Sequence, residues 1–286
     1  MHYVIGDVHG CYDEMMKLLN NIESRDPEAV IYFVGDFVDR GPEVWKVLDW
    51  AMKNITMDGK YRSVRGNHEE MILEWYDRWK WWYTDVKGTD SERDWREPKT
   101  KYDFYARLEE RNMLVPEKME PILAFLRSLP YNRMVTVTTT DGEKINYRIA
   151  HAWHYQYENI SLKDQQYANL WERNLCGNAN SGEVIVHGHT PNLPDSYYPV
   201  SEEDAGKICY EEKSNSINVD GGCCYQRYLP SAPCMLCGIC LETLEEFYPC
   251  TLEERFEEFK AKGYLLHDSE IEDFPAFLEK QKEETE

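Results

Sequence analysis

Apolar positions in the first 75 residues follow two different periods. Three short apolar runs are typical of buried strands, and they lie at Tyr3–Ile5, Val30–Val34 and Tyr61–Val64. Between them the apolar positions repeat every three or four residues, which predicts helices over about Tyr12–Ile22, from Pro42 to about Met52, and from about Glu69 onward. Strands joined through helices imply a parallel sheet with right-handed crossovers. The chain therefore begins as an α/β protein.

A tryptophan-rich segment over about residues 75–120 interrupts this alternation. Five of the nine tryptophans stand at positions 75, 79, 81, 82 and 95, among many charged residues. The pattern predicts helix at both ends of the segment and a loop around Gly88–Pro98. We interpret the segment as a helical insert. Its tryptophans either fill a core of their own or form an aromatic wall that faces a substrate.

The chain is β-rich from Pro130 onward. Arg133–Thr140 and Lys144–Ala150 flank Asp141-Gly142, which is a strong signal for a β-hairpin. Four later strands are predicted at Glu183–Val186, Ile208–Glu211, Ser216–Val219 and Met235–Glu242. A helix over about Leu252–Lys262 and an acidic tail complete the chain. We predict one catalytic domain over 1–250, with the insert inside it, and a C-terminal helix and tail over 251–286.

The composition favours an acidic cytoplasmic protein. The chain has 286 residues and a net charge of −21, which opposes tight binding to nucleic acid or to an anionic membrane. No run approaches the roughly 18 apolar residues that a membrane span needs. The N-terminal residues enter a strand directly, so we expect no signal peptide. Nine cysteines are therefore expected to be reduced, with Cys234, Cys237 and Cys240 packed in the core, while a role near the site is left open for Cys223 and Cys224.

Candidate metal ligands follow the predicted strands, at the point where each strand ends. They are Asp7 and His9, Asp36 and Asp39, Asn67 and His68, His151, and His187 with His189. The carboxyl ends of strands meet at one edge of an open sheet, so these side chains are expected to converge. Carboxylate, imidazole and amide donors together suit Mn, Fe or Zn better than calcium. Asp36 can bridge two ions, which would share and acidify a water, and His187 is expected to lie behind the ligands.

These motifs resemble one family specifically. The series Gly6-Asp-Val-His-Gly10, Gly35-Asp-Phe-Val-Asp-Arg-Gly41, Gly66-Asn-His-Glu69, His151-Ala and Gly188-His-Thr is similar to the phosphoprotein phosphatase family of metallophosphoesterases, and most of all to its bacterial and phage serine/threonine phosphatases. The resemblance covers Met1 to about Asp220. It implies a four-layer αββα sandwich with a central mixed β-sandwich, and two divalent metal ions, with manganese expected and Fe or Zn as alternatives.

The resemblance also implies a role for each matching residue. Asp7, His9 and Asp36 would hold the first metal, and Asp36, Asn67, His151 and His189 the second. His68 would donate a proton to the leaving oxygen and Asp39 would orient it. Arg40, Arg65 and Arg173 would bind phosphate, although a structural ion pair is an alternative for Arg65. A neighbouring carboxylate favours the cationic form that His68 needs.

The resulting hypothesis is a protein serine/threonine phosphatase that attacks a phosphate ester with a metal-bridging hydroxide. The alternative is a dinucleoside polyphosphate hydrolase of the diadenosine tetraphosphate type, or another nucleotide or RNA-end phosphatase. The dinucleoside branch tends to have Ala at the position of Asp39, which favours the phosphatase. A catalytically silent interaction module would have lost a ligand, and none is lost. The expected partner is a phosphorylated protein or a small phosphoester. We also expect the bulky Trp153 to narrow the site.

Overall fold

Two five-stranded mixed β-sheets are stacked face to face at the centre of the molecule. The computed structural model describes residues 1–81, 108, 113, 115–156, 159–175, 182–194, 196–197, 199–201, 204–226, 234–251 and 254, without the side chains of 78–81. The strands of these residues are β1 (His2–Ile5), β2 (Val30–Phe33), β3 (Tyr61–Ser63), β4 (Asn132–Thr138), β5 (Lys144–Ala150), β6 (Glu183–His187), β7 (Cys209–Glu211), β8 (Ser216–Asn218), β9 (Gly238–Cys240) and β10 (Glu246–Phe247). The helices are α1 (Tyr12–Arg25), α2 (Val44–Asn54), α3 (Asn67–Trp81), α4 (Pro116–Ser128) and α5 (Leu162–Trp171).

The sheet order places the strand ends that carry the candidate ligands next to one another. The first sheet has the order β10-β9-β1-β2-β3, in which β1, β2 and β3 run parallel and β9 runs antiparallel to β1. The second sheet has the order β4-β5-β6-β8-β7, in which β5, β6 and β8 run parallel. The α/β prediction and the mixed sandwich are confirmed, and so is the Asp141-Gly142 hairpin between β4 and β5.

Alternate residues of the first sheet contribute to two separate cores. Tyr3 and Ile5 of β1 point toward the helices, in a core with residues of α1, α2, α3 and α4. Val4 points the other way and packs with Tyr147, Ile149 and other residues of the second sheet. This period of two is the reason that short apolar runs are buried on both faces. Packing on both faces of the first sheet therefore fixes the positions of its strand ends.

Several predicted boundaries are wrong by a few residues. The second helix begins at Val44 rather than at Pro42, because Glu43 has non-helical backbone angles (φ −114°, ψ 34°) and caps the helix instead. The run Met235–Glu242 forms only the three-residue strand β9. Helix α5 and strand β10 were not predicted from the sequence.

Parts of two predicted segments fall outside the described residues. The ends of the tryptophan-rich insert are helical, in α3 and α4, but most of the insert and nearly all of 251–286 lie outside the described residues. Within the described part of the chain, no helix combines the length and the apolar character needed to cross a bilayer.

Candidate metal centre at the strand ends

The loops that follow β1, β2 and β6 carry buried polar residues in an unusual backbone conformation. His9, Asp36 and His189 have positive φ angles of 43°, 54° and 68°. Residues other than glycine seldom adopt this region, and such strain tends to gather at functional sites. Asp39 and Arg40, with φ of 65° and 64°, add to the same cluster. The loops are therefore bent so that their polar side chains turn inward, over the edge of the sheets.

Asp36 lies at the centre of the cluster. Its Oδ2 atom is 3.3 Å from Nε2 of His9, 3.5 Å from Nε2 of His151 and 3.9 Å from Nε2 of His68. The side chain is 2% exposed, so this carboxylate is nearly out of contact with solvent. Two groups of donor atoms, each within 4.8 Å, could each hold an ion: His9, Asp36 and His68 form one, and Asp7, Asp36 and His151 form the other. Asp36 is the member that the two groups share.

Asn67, His151 and His189 form the other side of the cluster. Oδ1 of Asn67 lies 2.8 Å from Nε2 of His151 and 3.2 Å from Nδ1 of His189. The two imidazole nitrogens are 3.2 Å from each other. Asn67 and His189 are 122 residues apart in the chain, and the stacked sheets bring them together.

The tautomers of two histidines fit a bound cation. Nδ1 of His9 donates to the Val38 carbonyl (2.8 Å) and Nδ1 of His151 donates to the Val34 carbonyl (3.0 Å). Burial is the largest cause that lowers the pKa of both imidazoles, so both are neutral. Each Nε2 then presents a lone pair to acceptor oxygens of Asp36 or Asn67. Acceptors that face one another across about 3 Å repel, and a divalent cation between them would remove the repulsion.

The buried carboxylates of Asp7 and Asp220 would also be stabilised by a nearby cation. Asp7 accepts from the backbone N–H of His189 (3.1 Å), yet burial first, then Asp220 and Asp36, raise its pKa well above the ordinary value. Burial also raises the pKa of Asp220 to about 6. A Cβ atom on Gly188 would lie 2.1 Å from Oδ1 of Asp7, so the chain approaches this carboxylate as only glycine can. The residues present therefore fit divalent metal ions.

His68 and Asp39 form the contact that the sequence led us to expect. Nδ1 of His68 is 2.6 Å from Oδ2 of Asp39. Burial acts to lower the pKa of His68, but Asp36 and Asp39 outweigh it and raise the pKa above the ordinary value. The other imidazole nitrogen of His68, Nε2, faces the cluster. It also lies close enough to Asp36 to rank among the potential ligands by distance alone.

The three candidate phosphate-binding arginines lie in different surroundings. The Arg40 guanidinium is 3.3 Å from Nε2 of His68 and stacks over the Tyr225 ring at 5.1 Å. Arg173 donates to the Thr190 hydroxyl (2.6 Å) and to the His189 carbonyl (3.3 Å), which holds it beside the cluster.

Arg65 is engaged by structural partners instead. Its NH1 donates to Glu70 (2.7 Å) and to the Tyr131 hydroxyl (3.1 Å), and its NH2 donates to the Arg127 carbonyl (2.9 Å). The side chain is largely buried. These contacts favour the structural ion pair that the sequence left open as the alternative for Arg65.

Two further expectations concern Trp153 and His187. Trp153 is fully buried and packs edge-on against His187 with 5.8 Å between ring centroids, so the prediction that it narrows the site is wrong. His187 is buried behind the cluster with its Nδ1 beside the Gly188 carbonyl, and burial lowers its pKa to about 4. His187 therefore contributes to packing beneath the loop that carries His189.

Sequence reasoning assigned no role to Glu69, which organises two of the loops. Its carboxylate accepts from the backbone N–H groups of Asp36 (2.8 Å), Phe37 (2.8 Å) and Gly66 (2.9 Å). The side chain is fully buried. Gly66 precedes the first residue of α3, so Glu69 occupies the third helical position, where a Glu commonly reaches back to the helix cap. That spacing was visible in the sequence and could have identified Glu69 as the residue that ties the loop of Asp36 to α3.

The chain is similar to known phosphoesterases. A family model for calcineurin-like phosphoesterases matches residues 3–217. The chain is 25% identical over 219 residues to the symmetrical bis(5'-nucleosyl)-tetraphosphatase of Wigglesworthia glossinidia brevipalpis, and the match covers 76% of each chain. It is 39% identical over 71 residues to the protein of the same name from Cronobacter sakazakii, a match that spans only 24% of that relative.

One solved structure shares the fold over most of its length. It is provisionally named a diadenosine tetraphosphatase, and it matches with a TM-score of 0.51 and 15% identity. The match covers 86% of this chain and 91% of that chain. At this identity the likeness concerns the fold alone.

Proposed function

Because the chain belongs to the calcineurin-like phosphoesterase family, we propose that this metal-dependent phosphoesterase hydrolyses dinucleoside polyphosphates such as diadenosine tetraphosphate. The observation that carries the substrate class is the match over 76% of both chains to a relative named as a symmetrical bis(5'-nucleosyl)-tetraphosphatase. This class replaces the serine/threonine phosphatase as the leading hypothesis, since the relatives carry the name that the sequence suggested only as the alternative.

We assign to the residues of the cluster the roles that the resemblance implied. Asp7, His9 and Asp36 would hold one divalent ion, and Asp36 with the ligands Asn67, His151 and His189 would hold the other. Bound there, two ions neutralise phosphate charge and lower the pKa of water enough to supply a nucleophile at neutral pH. Manganese is our expectation for both ions, with Fe and Zn as alternatives that the donor set also admits.

The chain's own cations bind and orient the phosphates. Arg40 and Arg173 flank the cluster, and a planar guanidinium can hold two phosphate oxygens at once. Thr190 fixes Arg173 through a 2.6 Å hydrogen bond, and Tyr225 supports Arg40 from its ring face. A chain with a net charge of −21 needs such local positive charge in order to hold a polyphosphate.

His68 is positioned to protonate the leaving oxygen. Against the lowering effect of burial, Asp36 and Asp39 raise the pKa of this imidazole above its ordinary value, which favours the cationic form, and Asp39 orients the ring through Nδ1, at 2.6 Å, so that Nε2 faces the cluster. In symmetrical cleavage the leaving group is a nucleoside diphosphate, whose terminal phosphate has a second pKa of about 6. Such a leaving group needs less help from an acid than an alcohol does.

The second candidate is a phosphomonoesterase that acts on phosphoserine or phosphothreonine, because its leaving group depends more strongly on an acid. A serine alkoxide leaves poorly unless it is protonated, and the Asp39–His68 contact is the arrangement that provides a strong, oriented acid. The two candidates therefore differ in how strongly they depend on Asp39.

A substrate panel with the manganese-loaded full chain tests the proposal. Diadenosine tetraphosphate, a phosphoserine peptide and AMP are compared, with EDTA as the control for metal dependence. We expect release of ADP from diadenosine tetraphosphate, with a kcat/KM at least about tenfold above that for the peptide. The variant Asp39→Asn should slow the peptide reaction more than the dinucleotide reaction. Turnover of the peptide alone would favour the second candidate, and no metal-dependent turnover of any substrate would refute both.

A further inference from the structure

Two cysteine thiols form hydrogen bonds with the loop that carries Asp7 and His9. The thiol of Cys223 donates to the backbone carbonyls of Asp7 (3.3 Å) and Val8 (3.5 Å). The thiol of Cys11 donates to the carbonyl of His9 (3.8 Å). The backbone carbonyls of Asp7, Val8 and His9 therefore all accept hydrogen bonds from thiols.

The two cysteines also meet at one carbonyl. The backbone N–H of Cys11 donates to the Val8 carbonyl (2.9 Å), and the Cys223 thiol donates to the same oxygen (3.5 Å). A side-chain hydrogen bond with Cys11, followed by burial, raises the pKa of Cys223. Cys223 is buried at 4% exposure, whereas Cys11 is half-buried and packs at the edge of the helical core. Small oxidants can therefore reach the pair through Cys11 and not through Cys223. The pair is formed from positions 212 residues apart, in the turn before α1 and in the short 3₁₀ turn Cys223–Tyr225.

We propose that Cys11 and Cys223 are a site of reversible oxidative modification, in which hydrogen peroxide converts them to a disulfide that disrupts the neighbouring metal centre. The Cys11 sulfur attacks a peroxide oxygen, the O–O bond breaks, and the departing oxygen leaves as water with the thiol proton. The Cys223 sulfur then attacks the sulfur of the Cys11 sulfenic acid, the S–O bond breaks, and a second water leaves. The two sulfurs supply the two electrons that reduce the peroxide.

The disulfide would act on the metal centre through the backbone. An S–S bond of about 2.05 Å requires the two sulfurs to come much closer than hydrogen-bonded thiols are. The bond also removes the S–H donors on which the carbonyls of Asp7 and His9 now depend. Both changes displace the Asp7–His9 loop, and a misplacement of about 1 Å costs roughly 100-fold in turnover when it affects reacting groups.

Five of the other described thiols differ from Cys11 in burial or in surroundings. Cys224, Cys234, Cys237 and Cys240 are all buried at 4% exposure or less. Cys237, for example, donates to the Gly206 carbonyl within the core. Cys209 is half-buried like Cys11, but its thiol interacts with Glu211 on β7, away from the cluster. Cys209 is therefore a matched control for a partly accessible thiol.

The experiment treats the zinc-loaded full chain with hydrogen peroxide, because zinc has no redox chemistry of its own. Free thiols are counted, disulfide-linked peptides are mapped by mass spectrometry, and turnover of an aryl phosphate is followed before and after dithiothreitol. We expect the loss of two thiols per chain, a peptide that links Cys11 to Cys223, and a drop in turnover of at least about tenfold that dithiothreitol reverses. Cys209→Ser should respond like the wild type, and Cys11→Ser should keep its turnover in peroxide.

Three results would overturn the proposal. They are a wild-type chain without the Cys11–Cys223 peptide, a disulfide that joins other cysteines, and a Cys11→Ser chain that is inactivated as fast as the wild type. The peptide map needs no variant and no turnover, so it decides the matter even if Cys11→Ser folds poorly. A mapped disulfide in a chain that hydrolyses no phosphoester would leave this proposal standing and refute the proposed function.

Discussion

Removal of the Glu69 carboxylate should destabilise the fold and the metal centre together. Three buried backbone N–H groups, those of Asp36, Phe37 and Gly66, donate to this one side chain. In the variant Glu69→Ala all three lose their acceptor inside a fully buried environment. A buried donor without a partner costs about 1–3 kcal/mol, so the summed loss is at least about 3 kcal/mol. Total stabilities are only about 5–15 kcal/mol, so this is a large fraction.

The variant Glu69→Gln separates the loss of charge from the loss of acceptors. Its single amide oxygen can take the place of Oε2, which accepts from both Asp36 and Gly66. The amide nitrogen then faces the N–H of Phe37, where two donors oppose each other. We expect a loss of about 1–3 kcal/mol, which lies between the wild type and Glu69→Ala.

Denaturant unfolding and manganese titration together measure both effects. The exposed Glu74, on the same helix, gives the control variant Glu74→Ala, which should change the free energy of unfolding by no more than about 0.5 kcal/mol. In thermal unfolding, Glu69→Ala should lower Tm by roughly 6 °C or more. A Glu69→Ala chain within about 1 kcal/mol of the wild type, with normal manganese affinity, would refute the reasoning.

Three further predictions address other parts of the structure. His68→Asn should slow turnover by about 10²–10⁴-fold while metal content stays the same, measured by steady-state kinetics and metal analysis; unchanged turnover would rule out its role as an acid. Gly188→Ala places a Cβ 2.1 Å from Oδ1 of Asp7, so this carboxylate would have to move. The manganese affinity, measured by calorimetry, should fall at least about tenfold, and an unaltered affinity would contradict the close packing. Burial acts to raise the pKa of Glu242, but hydrogen bonds from His2 outweigh it and lower the pKa. The stability that this lowered pKa supplies is present above the unfolded pKa of about 4.3 and is lost as the pH falls through the folded value. The destabilisation by Glu242→Gln should therefore begin to shrink below about pH 4.3 and vanish below the folded pKa in unfolding experiments.

Local patterns were sufficient to predict the elements that bear the site. The short strands β1, β2 and β3 and the helices between them follow from apolar spacing, and polar residues at strand ends pointed to the cluster around Asp36. The site could be anticipated because its members lie in short turns whose position relative to a strand is fixed by the chain itself.

Long-range contacts limited what the sequence could reveal. The antiparallel pairing of β9 with β1 joins segments more than 230 residues apart, and no local pattern encodes it. The partners of Arg65, which include Tyr131, are equally remote, so its ion pair could be named only as an alternative. Trp153 was misplaced because alternation within β5 does not determine how the residues after the strand turn.

The metal content of the reconstituted chain tests the central claim most directly. The full chain is loaded with manganese, freed of unbound ions by gel filtration, and analysed by inductively coupled plasma mass spectrometry beside the variant Asp36→Ala. Because Asp36 belongs to both groups of donor atoms, we predict about two ions per wild-type chain and less than about one per variant chain. A wild-type chain that retains no manganese, or an Asp36→Ala chain that retains as much as the wild type, would contradict the account.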